Sequence, residues 1–157
     1  MVPMSPQAWR LSRALLMAIL EDRLSDRFVA ALVWERLGYA PSMDEKKLWR
    51  AGPETPAEWR EAFPEAPEVI ATRPASVRLT RSIPREFKQL LKQQLQFSGY
   101  RIGELYPRRT RRATVVNWLL AWMAADGQAL PDGGPLPPLL EPPADPVQGH
   151  PGDPPVA

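Results

Sequence analysis

The chain has 157 residues, of which 20 are proline and one is histidine, with no cysteine and a formal net charge of +2. That length suits one domain with a real core. The missing cysteines exclude a disulfide framework, thiolate catalysis and a cysteine-ligated zinc or iron–sulfur site, and the lone His150 lies in a proline-rich tail, leaving the body without an imidazole for base catalysis, metal ligation or a triad. No metal, no cofactor and no catalytic residue is therefore expected.

Ten of the 20 prolines and five of the nine glycines fall in residues 127–157. Proline removes backbone donors and blocks helix and inner strand, so this stretch is expected to be a disordered, acidic tail of polyproline II character, with the folded domain over 1–126. No apolar run is long enough for a membrane span, and no signal peptide opens the chain. The expectation is a protein without membrane contact, located in the cytoplasm. Oligomeric state is not legible.

In chain order, Ser5 and Pro6 open a first helix running to about Arg23, with Leu11, Leu15, Ala18 and Ile19 on one face. A second helix follows Ser25 and stops at Gly38, a left-handed cap onto which Tyr39 folds back. Residues 40–54 are expected to be loop, plugged by Trp49. Thr55-Pro56-Ala57-Glu58 combines a capping box with an early proline and starts a short helix to Phe63. Val77 and Leu79 alternate with Arg78 and Thr80, which predicts a short strand over 76–80. A helix is expected from Pro84 to Phe97, apolar through Ile83, Phe87, Leu90, Leu91 and Leu95. Tyr100, Ile102 and Leu105 alternate with polar neighbours and predict a second strand able to pair with the first. The last helix is placed from Thr110 to Ala125, apolar on two sides and hence central. The fold class is α+β, mainly α: a single domain of about four helices with a small β-hairpin.

The near-neutral total hides a segregation of charge. Residues 71–112 hold 11 Lys/Arg against two Asp/Glu, a local charge of +9, whereas 1–70 come to −2 and the tail to −4. The densest feature is Arg108-Arg109-Thr110-Arg111-Arg112 at a helix start, where free N–H groups and the helix dipole already favour an anion and arginine forks bind phosphate or carboxylate bidentately. With Arg78, Arg85, Lys88, Lys92 and Arg101 as a basic track, and Tyr100 and Tyr106 as stacking candidates, these residues suggest a non-enzymatic protein binding a polyanion, RNA or DNA foremost. Two alternatives stand beside it. The arginines pair with Glu58, Glu61, Glu65 and Glu68 and only join two halves of the domain, or the basic face serves an adaptor that meets an acidic protein surface. Trp34, Trp118 and Trp122 lie on apolar stripes and are expected in the core, while Trp9, Trp49 and Trp59 are expected to anchor loops.

The stretches Arg73-Pro74-Ala75-Ser76-Val77-Arg78-Leu79-Thr80-Arg81-Ser82-Ile83-Pro84, Lys88-Gln89-Leu90-Leu91-Lys92, Gly99-Tyr100, Pro107-Arg108-Arg109-Thr110-Arg111-Arg112-Ala113-Thr114 and Asn117-Trp118-Leu119-Leu120 together resemble an uncharacterised family, a domain of unknown function, of cyanobacteria and plastids. The similarity also takes in Leu32-Val33-Trp34, Leu37-Gly38-Tyr39 and the Pro64 to Pro67 segment, but not the tail. It implies a cyanobacterial source and a cytoplasmic location, and brings no activity and no catalytic residue.

Overall fold

A computed structural model describes residues 9–43 and 48–157. It contains six α-helices and a minimal antiparallel sheet: α1 (Arg13–Leu20), α2 (Asp26–Arg36), β1 (Ala40–Pro41), β2 (Trp49–Arg50), α3 (Ala57–Ala62), α4 (Arg73–Ser82), α5 (Leu90–Leu95) and α6 (Pro107–Ala125). As its two apolar stripes predict, α6 is central, and α1, α2, α4 and α5 all pack against it. Val115, Val116, Leu119 and Leu120 of α6 are buried to 1% exposure or less, facing a core that includes Leu15, Leu16, Ile19, Val29, Leu32 and Leu79.

Helix α1 is capped by Ser12, whose hydroxyl accepts from the Leu15 N–H; the expected start at Ser5 and Pro6 lies outside the described residues. It ends in a Schellman turn in which Arg23 N–H donates to Ala18 O and Asp22 takes the left-handed position at φ 62°. Ser25 caps α2, and Gly38 ends it at φ +86°, where a Cβ would come within 3.0 Å of the Thr55 backbone nitrogen. Tyr39 folds back onto α2 through its N–H, which donates to Trp34 O at 2.9 Å, while its side chain is buried and its hydroxyl reaches the end of α3, donating to Phe63 O at 2.7 Å. Trp49 plugs the following loop against Trp34 at 5.6 Å between ring centroids. Helix α3 forms where expected but without the capping box, since Thr55 Oγ1 instead accepts from Gly52 N–H. Trp59, expected as a loop anchor, is fully in the core.

Both strands expected in the basic segment are corrected. Residues 76–80 lie inside α4, because Ala75, Leu79 and Ile83 recur every four residues and are all buried, while Pro74 sits in the first turn where its missing N–H costs nothing. A five-residue window fits both periods; the longer run decides for helix. Residues 100–105 form a single 3-10 turn (Ile102–Glu104), with Ile102 94% exposed. The hairpin of the fold is β1–β2, in the stretch expected to be loop. The helix expected over 84–97 is broken into a 3-10 turn (Arg85–Phe87) and α5, because Asn117 of α6 inserts its amide at the break: its Oδ1 accepts from Leu91 N–H and its Nδ2 donates to Lys88 O. Helix α6 begins at Pro107, three residues earlier than expected.

Residues 127–157 form neither helix nor strand, in keeping with their prolines, yet they lie along the body rather than away from it. Proline density removes donors, not acceptors, and the tail supplies acceptors. Pro131 O and Asp132 O take the orphan N–H groups of Arg13 and Ala14 at the start of α1. The Asp153 carboxylate takes those of Asp26 and Arg27 at the start of α2. Ala157 N–H donates to Ala71 O. Among the described residues no helix is long and apolar enough to cross a membrane.

Candidate functional site: the arginine cluster and the basic groove

The arginine cluster divides on folding. Arg108 and Arg112, one turn apart on α6, have fully buried side chains. Arg108 grips both oxygens of Asp22 at 2.7 Å through its two terminal nitrogens and donates from Nε to Asp26 at 2.9 Å. Arg112 donates to Asp26 at 2.7 Å, to Leu24 O at 2.8 Å and twice to Ile19 O, closing the C-terminal end of α1. The internal pairing weighed from the sequence therefore exists, but with Asp22 and Asp26; Glu58 instead lies 3.8 Å from Arg78 and Glu65 3.8 Å from Arg50. Burial works against the Asp22 carboxylate, but the hydrogen bond from Arg108 and the charges of Arg112 and Arg108 outweigh it and hold its pKa below the usual carboxylate value. The same contacts lift Arg108 above the ordinary arginine value in spite of burial. Neither Arg108 nor Arg112 can meet an external anion in this arrangement.

Arg109 is mostly buried between the rings of Tyr100 and Tyr106, at 5.9 and 5.7 Å from their centroids, and faces Glu104 and Asp22. Tyr100 is no free stacking platform: its hydroxyl donates to Leu20 O, its ring packs on Phe97 at 5.0 Å, and burial pushes its pKa up to about 12. The Tyr106 hydroxyl donates to Gly103 O. Arg111 donates to three carbonyls, of Ile70, Ala71 and Ala157. Of the other expected residues, Thr110, Arg85, Lys88, Lys92 and Arg101 are exposed, and Arg78 is partly so. His150, placed by the sequence in a solvated tail, is buried, with Nδ1 3.7 Å from Asp153 and 4.0 Å from Asp22.

What the basic segment leaves at the surface is a groove between α4, α5 and the first half of α6. One part, of about 530 Å³, is lined by Lys88, Lys92, Ile83, Leu91, Phe97 and Asn117 among others. The other, of about 550 Å³, is lined by Arg73, Val77, Leu105, Tyr106 and Arg111 among others. Both parts share Thr80, Thr110 and Thr114 and so run into one another. The floor is apolar, the rim carries cations and hydroxyls, and Leu105, 56% exposed, stands at its edge. Among the described residues no group of three or more His, Asp and Glu is placed to hold a metal ion.

The sequence pointed to Lys88, Lys92, Thr110 and, as a further hydroxyl donor, Thr114, but not to Thr80 and Asn117 as groove walls, nor to Asp22 and Asp26 as the partners of the arginines. A signal for the latter existed: two aspartates four apart and two arginines four apart, each pair able to present one side of a bidentate network.

Residues 10–124 match the model of a domain of unknown function, DUF1823. The chain belongs to this family. A protein whose structure was solved by solution NMR is 49% identical, with a TM-score of 0.65; the match covers 76% of this chain and 98% of that one. No curated protein matches. The DUF1823 match ends just before α6 does, so the tail that covers the Asp22–Arg108 network lies outside the family's domain.

Proposed function

We propose that this DUF1823 protein is a non-enzymatic binding protein whose groove takes an acidic, partly apolar segment of a protein partner. The observation that carries this reading is the composition of the groove: an apolar floor of Ile83, Leu91, Val77 and Ala113 beneath a rim of Lys88, Lys92, Arg73 and Arg111, with no acidic side chain lining it. Charge complementarity favours an acidic occupant, and an apolar floor rewards side chains that phosphate backbones lack. Nucleic acid is the weaker reading of the same face. Two of the four clustered arginines are buried in ion pairs, and both tyrosines are engaged within the fold, so the stacking that single-strand binders use is not on offer.

The test is capture of the tagged full-length chain with its partners from native extract, before and after nuclease, beside Lys88→Glu/Lys92→Glu. A partner retained after nuclease and released by the charge reversal agrees with the proposal; one lost to nuclease points to RNA or DNA instead.

A further inference from the structure

Within the tail, residues 145–153 hold a shape of their own. Asp145 O accepts from the N–H groups of Gln148 and Gly149, and Asp145 Oδ1 accepts from Val147 N–H. His150 and Asp153 close a second turn, in which the backbone N–H of each donates to the other residue. This preformed loop meets the body at a face built from the end of α1, the start of α2 and the start of α6. The Asp153 carboxylate accepts from Asp26 N–H at 3.2 Å and Arg27 N–H at 3.4 Å, at the positive end of the α2 dipole. Arg108 donates to Pro146 O at 3.4 Å, and the His150 ring enters between Asp22 and Asp153. Ahead of the loop, Leu140 N–H donates to Arg23 O while Arg23 Nε donates back to Leu140 O. The fit is close: Gly149 stands at φ +94°, and a Cβ there would lie 2.7 Å from Arg108 Nε and 2.9 Å from Asp153 Oδ2.

The loop is an addition to the family's domain. The family match stops at residue 124, and the 49% identical relative is covered over 98% of its own length by 76% of this chain, so the relative is the domain and little else. A domain that folds in a relative without the loop, a loop that holds its own shape and a glycine-dependent fit between them are the parts of a peptide-recognition pair. We propose that the face of Arg23, Asp26, Arg27 and Arg108 is a docking site for a peptide turn that presents a carboxylate, with glycine four residues before the aspartate, and that residues 145–153 are its ligand, bound here within the chain and able to bind in trans. The carboxylate suits the free N–H groups of α2, the glycine is what the Arg108 side chain admits, and the internal turn bonds leave little ordering to be done on binding. Because the loop is tethered, its effective concentration at the face is on the order of millimolar, and it holds the site against free peptides of equal affinity. No residue of this face lines the groove, and the two proposals are tested independently.

The test titrates a fluorescein-labelled peptide of residues 139–157 by anisotropy into the full chain, unmodified and as Gly149→Val/Asp153→Ala, in which the tethered ligand is spoiled and the face left vacant. The variant should bind the peptide saturably, and the unmodified chain at least about tenfold more weakly, because its own loop competes. Peptides carrying Asp153→Ala or Gly149→Val should each bind the variant at least about tenfold more weakly than the unaltered peptide. Nitrogen-15 spectra of the labelled variant locate the site: the Asp26 and Arg27 amide signals should move on saturation while those of α5 stay. Thermal melting shows that the variant is folded, and Asp153→Ala alone is a milder variant with the same expectation. No saturation up to about 1 mM, equal affinity of the altered peptides, equal affinity of the unmodified chain, or movement confined to other amide signals overturns the proposal.

Discussion

Replacing Arg112 by methionine keeps most of the side-chain volume and removes the guanidinium from the centre of the fold. Four hydrogen bonds go with it: one to Asp26 at 2.7 Å, one to Leu24 O and two to Ile19 O. Asp26 keeps its bond from Arg108 at 2.9 Å, so its charge is not abandoned, but both carbonyls lose the arginine that closes them off. Breaking a buried ion pair by deleting one partner costs about 3–5 kcal/mol, and the retained Arg108 contact places this variant near the lower end, at about 3 kcal/mol. For a domain of this size that corresponds to a fall in Tm of roughly 6–12 °C. Urea unfolding followed by tryptophan fluorescence and far-UV circular dichroism gives the number directly, and coincident transitions check that it is a two-state quantity. A double-mutant cycle with Asp26→Asn should return a coupling of about 1 kcal/mol or more. A loss below about 1 kcal/mol for Arg112→Met, or no coupling, would refute the view that these arginines hold the fold together.

Acid unfolding should follow Asp22. Its folded pKa is depressed, so its contribution is complete above the unfolded carboxylate value of about 3.9 and is lost as pH falls through the folded value; the unfolding free energy should drop steeply below about pH 4, and less steeply in Asp22→Asn. Glu68 has the opposite sign, since burial raises its carboxyl, and Glu68→Gln should be neutral to stabilising at pH 7. Asp153→Ala removes the carboxylate that accepts the first two N–H groups of α2, leaves the Ser25 cap in place, and should cost about 1 kcal/mol, with faster hydrogen exchange at Asp26, Arg27 and the 145–157 stretch but not in α4 or α5. Asn117→Ala leaves the Leu91 N–H without its acceptor and should cost about 1 kcal/mol in thermal unfolding, with lost protection at Leu91 as the specific sign.

The parts of the fold legible in the sequence were those carried by long apolar patterns or by cap chemistry, α2 between Ser25 and Gly38 and the two-striped α6, together with α3, which forms behind Thr55-Pro56 without the capping box that announced it. The errors came where a short window fits two periods, as at Val77 and Leu79, or where a distant side chain decides the backbone, as Asn117 does at the break before α5. The arginine run was legible as a functional or structural concentration of charge, but a run of like residues on a helix faces several directions. Residues four apart share a face, so Arg108 and Arg112 turn inward to Asp22 and Asp26 while Thr110 and Thr114 turn outward to the groove. For Asp22 the one sign was its spacing from Asp26, four apart like Arg108 and Arg112; its left-handed conformation at the end of α1 was not legible.

The proposal rests on a division of labour within residues 71–112, buried arginines for the fold and exposed cations around an apolar groove for the partner. Fluorescence anisotropy with two labelled probes of equal charge, an acidic peptide carrying interspersed leucines and a single-stranded RNA, tests it against the unmodified chain and Lys88→Glu/Lys92→Glu. The peptide should bind more tightly than the RNA at physiological salt, and the charge reversal should abolish its binding while leaving Tm unchanged. Tighter binding of the RNA, or peptide binding that survives the reversal, would contradict it.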